Sequence, residues 1–268
     1  MRIAIGTYKY SRIRLKCTKD ADVADADAAI LNRIERAAAD TSNPLASGSR
    51  WVSRRLHRYW PYGFDCTIVS EEGMRDLYQY MMMRQHGERY SIMRDVFKQL
   101  IHAVAFLHSA DITHNDITPK SRMQIMLVNY DHVTPIAYRM ASSRDVVRMP
   151  PPAGTIGYDS PESFALRTID LRARDIWAIG MTVYTCFMGF PLYGYVKVNH
   201  GTWQMLREEY EEELASLYRA HRGTNEHALV ESDAWEWLDA TGFMAVDTLM
   251  LDPRFRPTLA QLIEANPL

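Results

Sequence analysis

Three cysteines, Cys17, Cys66 and Cys186, are the first side chains in this 268-residue sequence with evident chemistry. Their spacing matches no zinc pattern, so they allow one disulfide at most and leave one free thiol. Asp175 is the second candidate. It stands near the start of the 174–191 stretch, ahead of a run over 176–188 that carries no charge. A carboxylate in the first turn of a helix suits the positive end of the helix dipole. A capping acid on a core helix is the plainest reading, and an anchor for other segments is the alternative. The charge runs at 208–213 and 54–58 read as solvated faces rather than binding sites.

The elements that hold these residues follow from periodicity. Residues 1–17 place Ile3, Ile5, Ile13 and Leu15 in alternation around Gly6, which predicts two strands. Ile30, Leu31 and Ile34 fall at helical spacing and predict a helix over 21–39, behind an acidic run. A loop is expected at 41–48, strands at 51–60 and 64–69, and a connector at 70–73. Helices are expected at 76–85 and 91–109, then an irregular stretch over 110–160. The 174–191 helix is apolar on every side, so it must be buried all round. It is too short to span a bilayer, and Gly189 and Pro191 stop it. Further helices are expected near 203–219, 234–250 and 258–265. Fifteen Met and six Trp imply a large, adaptable core. The net charge of −2 gives no attraction to nucleic acid or membrane. No signal peptide or transmembrane segment is read.

Four motifs then occur in order. His114-Asn115-Asp116-Ile117-Thr118-Pro119 resembles the H-R-D-L-K-P catalytic loop of protein kinases. The run from Gly154-Thr155 through Tyr158 to Ser160-Pro161-Glu162 resembles the end of a kinase activation segment. Asp175-Ile176-Trp177-Ala178-Ile179-Gly180 resembles the start of the kinase F helix. Met250-Leu251-Asp252-Pro253 with Arg256-Pro257-Thr258 resembles a segment late in that domain. The resemblance implies an α+β, bilobal kinase-like fold over 1–268. It has a small, truncated, β-rich N-lobe over about 1–72 with one C-helix, and a large helical C-lobe over about 73–268. It implies that Asp175 accepts hydrogen bonds from the catalytic-loop backbone and that Glu162 pairs with Arg256. Lys16 is similar to the strand lysine of kinases and Glu35 to the C-helix glutamate that pairs with it. A surface lysine and a surface glutamate are the plain alternative.

The same comparison shows what is missing. Phosphoryl transfer needs a glycine-rich loop, a lysine, a catalytic acid and metal ligands. Only Gly6 precedes Lys16. Asp116 fills the catalytic position, but Asn115 replaces the arginine before it. The metal-binding asparagine falls on Ser121, or on Gln124 if three residues are inserted. With Gln124 at the asparagine position, the acid of the D-F-G motif falls on Ala137, which cannot bind a metal. Magnesium needs oxygen ligands, usually one or two carboxylates beside the phosphates. Losing a single electrostatic stabiliser costs on the order of 10²–10³ in rate.

The chain therefore reads as a pseudokinase. With no glycine loop, it resembles the with-no-glycine-loop family of secreted kinases in apicomplexan parasites. The expected function is protein binding, as a scaffold, an allosteric regulator or a secreted matrix component. No cofactor or metal is expected, and nucleotide binding should be weak or absent. The rival is an atypical active Ser/Thr kinase using Lys16 and Asp116, with Asp131 or Asp145 as a relocated metal ligand. A third reading is a nucleotide-binding switch without hydrolysis. The family resemblance implies secretion into the parasitophorous vacuole or cyst wall. In the kinase fold the strands of Cys17 and Cys66 are antiparallel neighbours, and both cysteines face away from Lys16. A Cys17–Cys66 disulfide is therefore expected, with Cys186 free. In a cytosolic protein both would stay reduced.

Overall fold

A computed structural model describes residues 2–8, 11–70, 77–119, 134–135, 148–149, 154–194, 196–198, 202–204, 207–228 and 232–268. Strands β1 (Arg2–Tyr8) and β2 (Ser11–Thr18) lead into helix α1 (Ala21–Ala39). Asp20 starts that helix by accepting the Asp22 and Val23 N–H groups, which no helical carbonyl can reach. Its buried residues are Ala24, Ala28, Ile30, Leu31 and Ile34, the helical stripe expected from spacing. Strands β3 (Arg55–Tyr59) and β4 (Asp65–Ser70) complete a four-stranded antiparallel sheet in the order β1-β2-β4-β3. The strand expected over 51–60 is shorter than that: a 3₁₀ segment, Ala46–Trp51, takes up its first residue, and the strand itself runs only from Arg55 to Tyr59.

The register sets Cys17 opposite Cys66, with Lys16 opposite Thr67. The two cysteines are 4.1 Å apart at Cα and form a disulfide, while Cys186 is a buried free thiol. The bridge closes a segment of 49 residues that holds α1 and β3. Restricting a loop of that length in the unfolded chain is worth about 4 kcal/mol. A Cys17→Ser/Cys66→Ser variant is accordingly expected to unfold at clearly lower urea, read by circular dichroism. Equal midpoints would mean that the sheet gains nothing from the bridge.

The rest of the described chain is largely helical: α2 (Leu77–Met82), α3 (His86–Ser109), α4 (Glu162–Ala165), α5 (Leu171–Met188), α6 (Arg207–His221), α7 (Ser232–Thr241) and α8 (Leu259–Ala265). All of α5 is buried except Arg172 and Met188. Helices α2, α3 and α7 pack directly against it. Its C-terminus closes at Gly189, whose φ of 85° is a left-handed value open to glycine.

Other boundaries differ from expectation too: the helix expected near 203–219 runs Arg207–His221, with a short strand at Thr202–Gln204 before it. Helix α5 begins at Leu171, and its cap is Asp170, which accepts the Arg172 and Ala173 N–H groups. Asp175 lies one turn further in, so it is no capping acid. The helix expected over 234–250 stops at Thr241. Asn266 accepts the Phe243 N–H at 2.8 Å and donates to the Phe243 carbonyl at 2.9 Å, diverting the backbone. Gly242 fits there because a Cβ would lie 2.6 Å from the Phe97 ring.

His102 of α3 packs beside Trp51, with ring centroids 6.1 Å apart, and its buried Nε2 has no hydrogen-bond partner among the described residues. Burial, helped by nearby Lys98, pulls its pKa below the usual value. The unfolded chain takes up this proton near pH ~6.5, whereas the folded chain resists it. Stability present above that pH is therefore lost as pH falls towards the lowered folded value. Urea midpoints should drop between pH 7.5 and 5.5, and His102→Phe should flatten that slope. An unchanged slope in the variant would clear His102 of the effect.

Candidate functional site

Asp175 organises the site from inside α5. It has no exposed surface. Its Oδ1 accepts the Asn115 N–H at 2.7 Å, and its Oδ2 accepts the His114 N–H at 2.8 Å. His108 Nε2 reaches the same Oδ2 at 2.9 Å. Burial opposes charge on this carboxyl, but the hydrogen bond from His108 and the neighbouring His114 outweigh it and hold it below the usual carboxylate range. A second tie runs from the Thr182 hydroxyl to the Ile117 carbonyl at 3.3 Å. The 114–117 segment is thus pinned to a helix buried over nearly its whole length.

Asn115 has φ of 62°, a left-handed conformation that asparagine tolerates better than most residues. Its amide donates to the Thr113 hydroxyl at 3.1 Å and the Thr113 carbonyl at 3.3 Å. A short, inward-turned amide stands where the family arginine would reach towards the activation segment. Asp116 is partly exposed, and its Oδ1 accepts from the Thr155 N–H at 3.1 Å and the Thr155 hydroxyl at 2.5 Å. A carboxylate has room for further donors, so this contact leaves acid–base work chemically open.

The segment after Thr155 is tied at two buried ion pairs. Arg174, beside Asp175 on α5, pairs with Asp159. Burial pushes the Asp159 carboxyl above its usual range, with the Arg174 guanidinium pulling the other way. The Tyr210 hydroxyl of α6 adds a bond to the Asp159 carbonyl at 3.3 Å. Glu162 takes both terminal nitrogens of Arg256, at 2.7 and 2.8 Å, with neither side chain exposed.

Lys16 and Glu35 are not brought together. Lys16 Nζ lies 2.7 Å from Asp27 of α1. Glu35 is exposed and pairs with Arg55 at 2.6 Å. The reason is helical phase. Asp27 shares its face with Leu31 and Ile34, at i+4 and i+7, and that face packs towards β2. Glu35 sits at the edge of the stripe, where β3 supplies Arg55. Ser121, Gln124 and Ala137, and also Asp131 and Asp145, lie outside the described residues. Among the described residues no cluster of His, Cys, Asp or Glu is arranged to hold a metal ion.

The family model of the protein kinase domain matches residues 55–266. The chain belongs to the protein kinase family. It is similar to the SNF-related serine/threonine-protein kinase of Rattus norvegicus, 22% identical over 116 residues, or 43% of this chain and 15% of that protein. It is also similar to the serine/threonine-protein kinase PSK1 of Saccharomyces cerevisiae, 25% identical over 166 residues, or 59% of this chain and 12% of that protein. The serine/threonine-protein kinase chk-2 of Caenorhabditis elegans is 32% identical over 94 residues, covering 35% of this chain and 20% of that protein. The matched part of the chain thus spans at most a fifth of the length of these relatives.

The kinase match starts at Arg55, so Lys16, Asp27 and Glu35 all precede it. Sequence reasoning missed Asp27 and Arg174. Asp27 was accessible through its i+4 and i+7 spacing to Leu31 and Ile34. Arg174 carried a weaker signal: a cation entering a helix with no solvent face needs an acid, but nothing local points to Asp159.

Proposed function

We propose that this kinase-family chain is catalytically inactive and acts by binding a protein partner. The observation that carries the reading is Ala137. In sequence alignment with the family motif, alanine falls at the position of the metal-binding acid, and a methyl side chain can neither seat the metal nor offset charge on a transferring phosphoryl group. The exchanged partners of Lys16 and Glu35 support it. The lysine that would bind phosphate is held by Asp27, and the glutamate that would orient it is held by Arg55. These residues fit a magnesium–nucleotide complex poorly, and nucleotide binding is weak or absent on this reading. Secretion into a parasitophorous vacuole or cyst wall belongs to the same proposal. The Cys17–Cys66 bridge, which suits an oxidising compartment, supports that location.

The retained Asp116, anchored through its loop by Asp175, favours the rival of an atypical active Ser/Thr kinase. Incubation with radiolabelled ATP and Mg²⁺ or Mn²⁺ separates the two. No autophosphorylation and no transfer to a generic protein substrate are expected. Transfer that disappears in Asp116→Ala would overturn the proposal. A thermal-shift titration with ATP reports binding separately, since a ligand at one hundred times its Kd stabilises by about 2.7 kcal/mol.

A further inference from the structure

A cavity of about 280 Å³ opens in the helical part, between the 166–170 segment, the end of α6 and the 252–254 turn. Neither Lys16, Asp27 nor Asp116 lines it. Its acids are already engaged. Asp252, with no exposed side chain, accepts the Gly223 N–H at 2.7 Å, the Arg254 N–H at 3.0 Å and the Arg254 guanidinium. Burial opposes its charge, yet these donors hold its pKa down to about 2. Both oxygens of Glu162 are taken by Arg256. Asp170 accepts two N–H groups at the positive end of α5, although burial outweighs them and holds its carboxyl above the usual range.

What is left over is cationic. Arg167 and Arg222 line the cavity, are exposed, and make no hydrogen bond or ion pair among the described residues. Thr168 lies beside Arg167 with its hydroxyl equally unengaged among the described residues. Leu166, Ile169 and Pro253 give the wall its apolar part, beside the buried Tyr218.

We propose that this cavity binds a phosphomonoester carried on an apolar body, with Arg167 and Arg222 gripping the phosphate. Guanidinium groups present planar donor forks that match phosphate oxygens bidentately, and they desolvate more readily than ammonium groups. The Thr168 hydroxyl supplies a further donor. Leu166, Ile169 and Pro253 would contact the carrier rather than the phosphate, so a bare phosphate ion uses only part of the site. The site is independent of phosphotransfer and stands whether or not the chain is inactive.

The test is isothermal titration of the full chain with phenyl phosphate, inorganic phosphate and phenol. Phenyl phosphate is expected to bind, inorganic phosphate about tenfold more weakly, and phenol not measurably. An Arg167→Ala/Arg222→Ala variant should lose about tenfold or more in phenyl phosphate affinity. Its melting temperature without ligand should be unchanged, because both side chains are exposed and have no hydrogen bond or ion pair among the described residues. Equal affinity in the variant overturns the proposal, as does no binding of phenyl phosphate to the unaltered chain at millimolar concentration. Equal binding of inorganic and phenyl phosphate overturns the part assigned to the apolar wall. A phosphotyrosine peptide that displaces phenyl phosphate, where its unphosphorylated form does not, identifies a protein-borne source. Failure of both peptides to displace it identifies a small free phosphomonoester.

Discussion

Asp175→Ala is expected to destabilise the protein by about 3–9 kcal/mol. The carboxylate satisfies the His114 and Asn115 N–H groups and the His108 ring, all in a setting closed to water. Each buried polar group left without a partner costs about 1–3 kcal/mol, and three are stranded at once. A typical domain has only about 5–15 kcal/mol to lose. The measurement is urea unfolding followed by circular dichroism, with Asp175→Asn as companion. Asparagine keeps one acceptor oxygen and sets an amide against the remaining donors, so it should fall between Ala and the original. The pH dependence has a definite sign. The Asp175 carboxyl is held below its usual range, so its contribution is present above about pH 3.9, the ordinary aspartate value, and is lost as pH falls through the lowered value. An Asp175→Ala protein that melts like the original would show that the 114–117 segment is held by something else.

Glu162→Ala is expected to cost about 3–5 kcal/mol, the usual penalty for removing one partner of a buried ion pair. Arg256 is left with its charge, no exposed side-chain surface and only backbone carbonyls for company: Met250 at 2.8 Å, Ala173 at 3.1 Å and Leu251 at 3.4 Å. Its guanidinium also lies 5.0 Å from the Trp177 ring centre. Those contacts keep the arginine in place, so the destabilisation should appear as unfolding rather than as a local swing of the side chain. The double variant Glu162→Ala/Arg256→Met should be more stable than Glu162→Ala alone. Burying the two ions costs nearly what their attraction returns, whereas the isolated charge has no such offset. Unfolding free energies of the two single variants and the double form a cycle whose coupling should be about 1–3 kcal/mol. Additive costs would mean that the pair is worth little to the junction between α4 and the 250–256 turn.

Much of this architecture follows from local pattern, and much of the site does not. A helix with no charge over 176–188 has no face to give to water, so burial all round was determined by composition alone. The stripe on α1 and the two-residue alternation that sets Lys16 and Cys17 on opposite faces of β2 are equally local, since each depends only on the geometry of one element. The order of four motifs was enough to imply a kinase fold, because several of those residues anchor loops to helices. The partner of Lys16 was another matter. Counting along the chain favours Glu35, but the rotation of α1 over the sheet decides between Asp27 and Glu35, and rotation is set by packing. The cap of α5 passed from Asp175 to Asp170 for a related reason. Asp175 is drawn inward by loop N–H groups that sit 60 and 61 residues away in sequence. The end of α7 depends on Asn266, which captures the Phe243 backbone from 23 residues further on. The Arg174–Asp159 pair and the arginine-lined cavity join segments that no periodicity connects. Patterns of period two and 3.6 report which face a residue occupies. Only the tertiary structure decides which partner that face meets, because hydrogen bonds and ion pairs act over a few ångströms of space and are indifferent to distance along the chain.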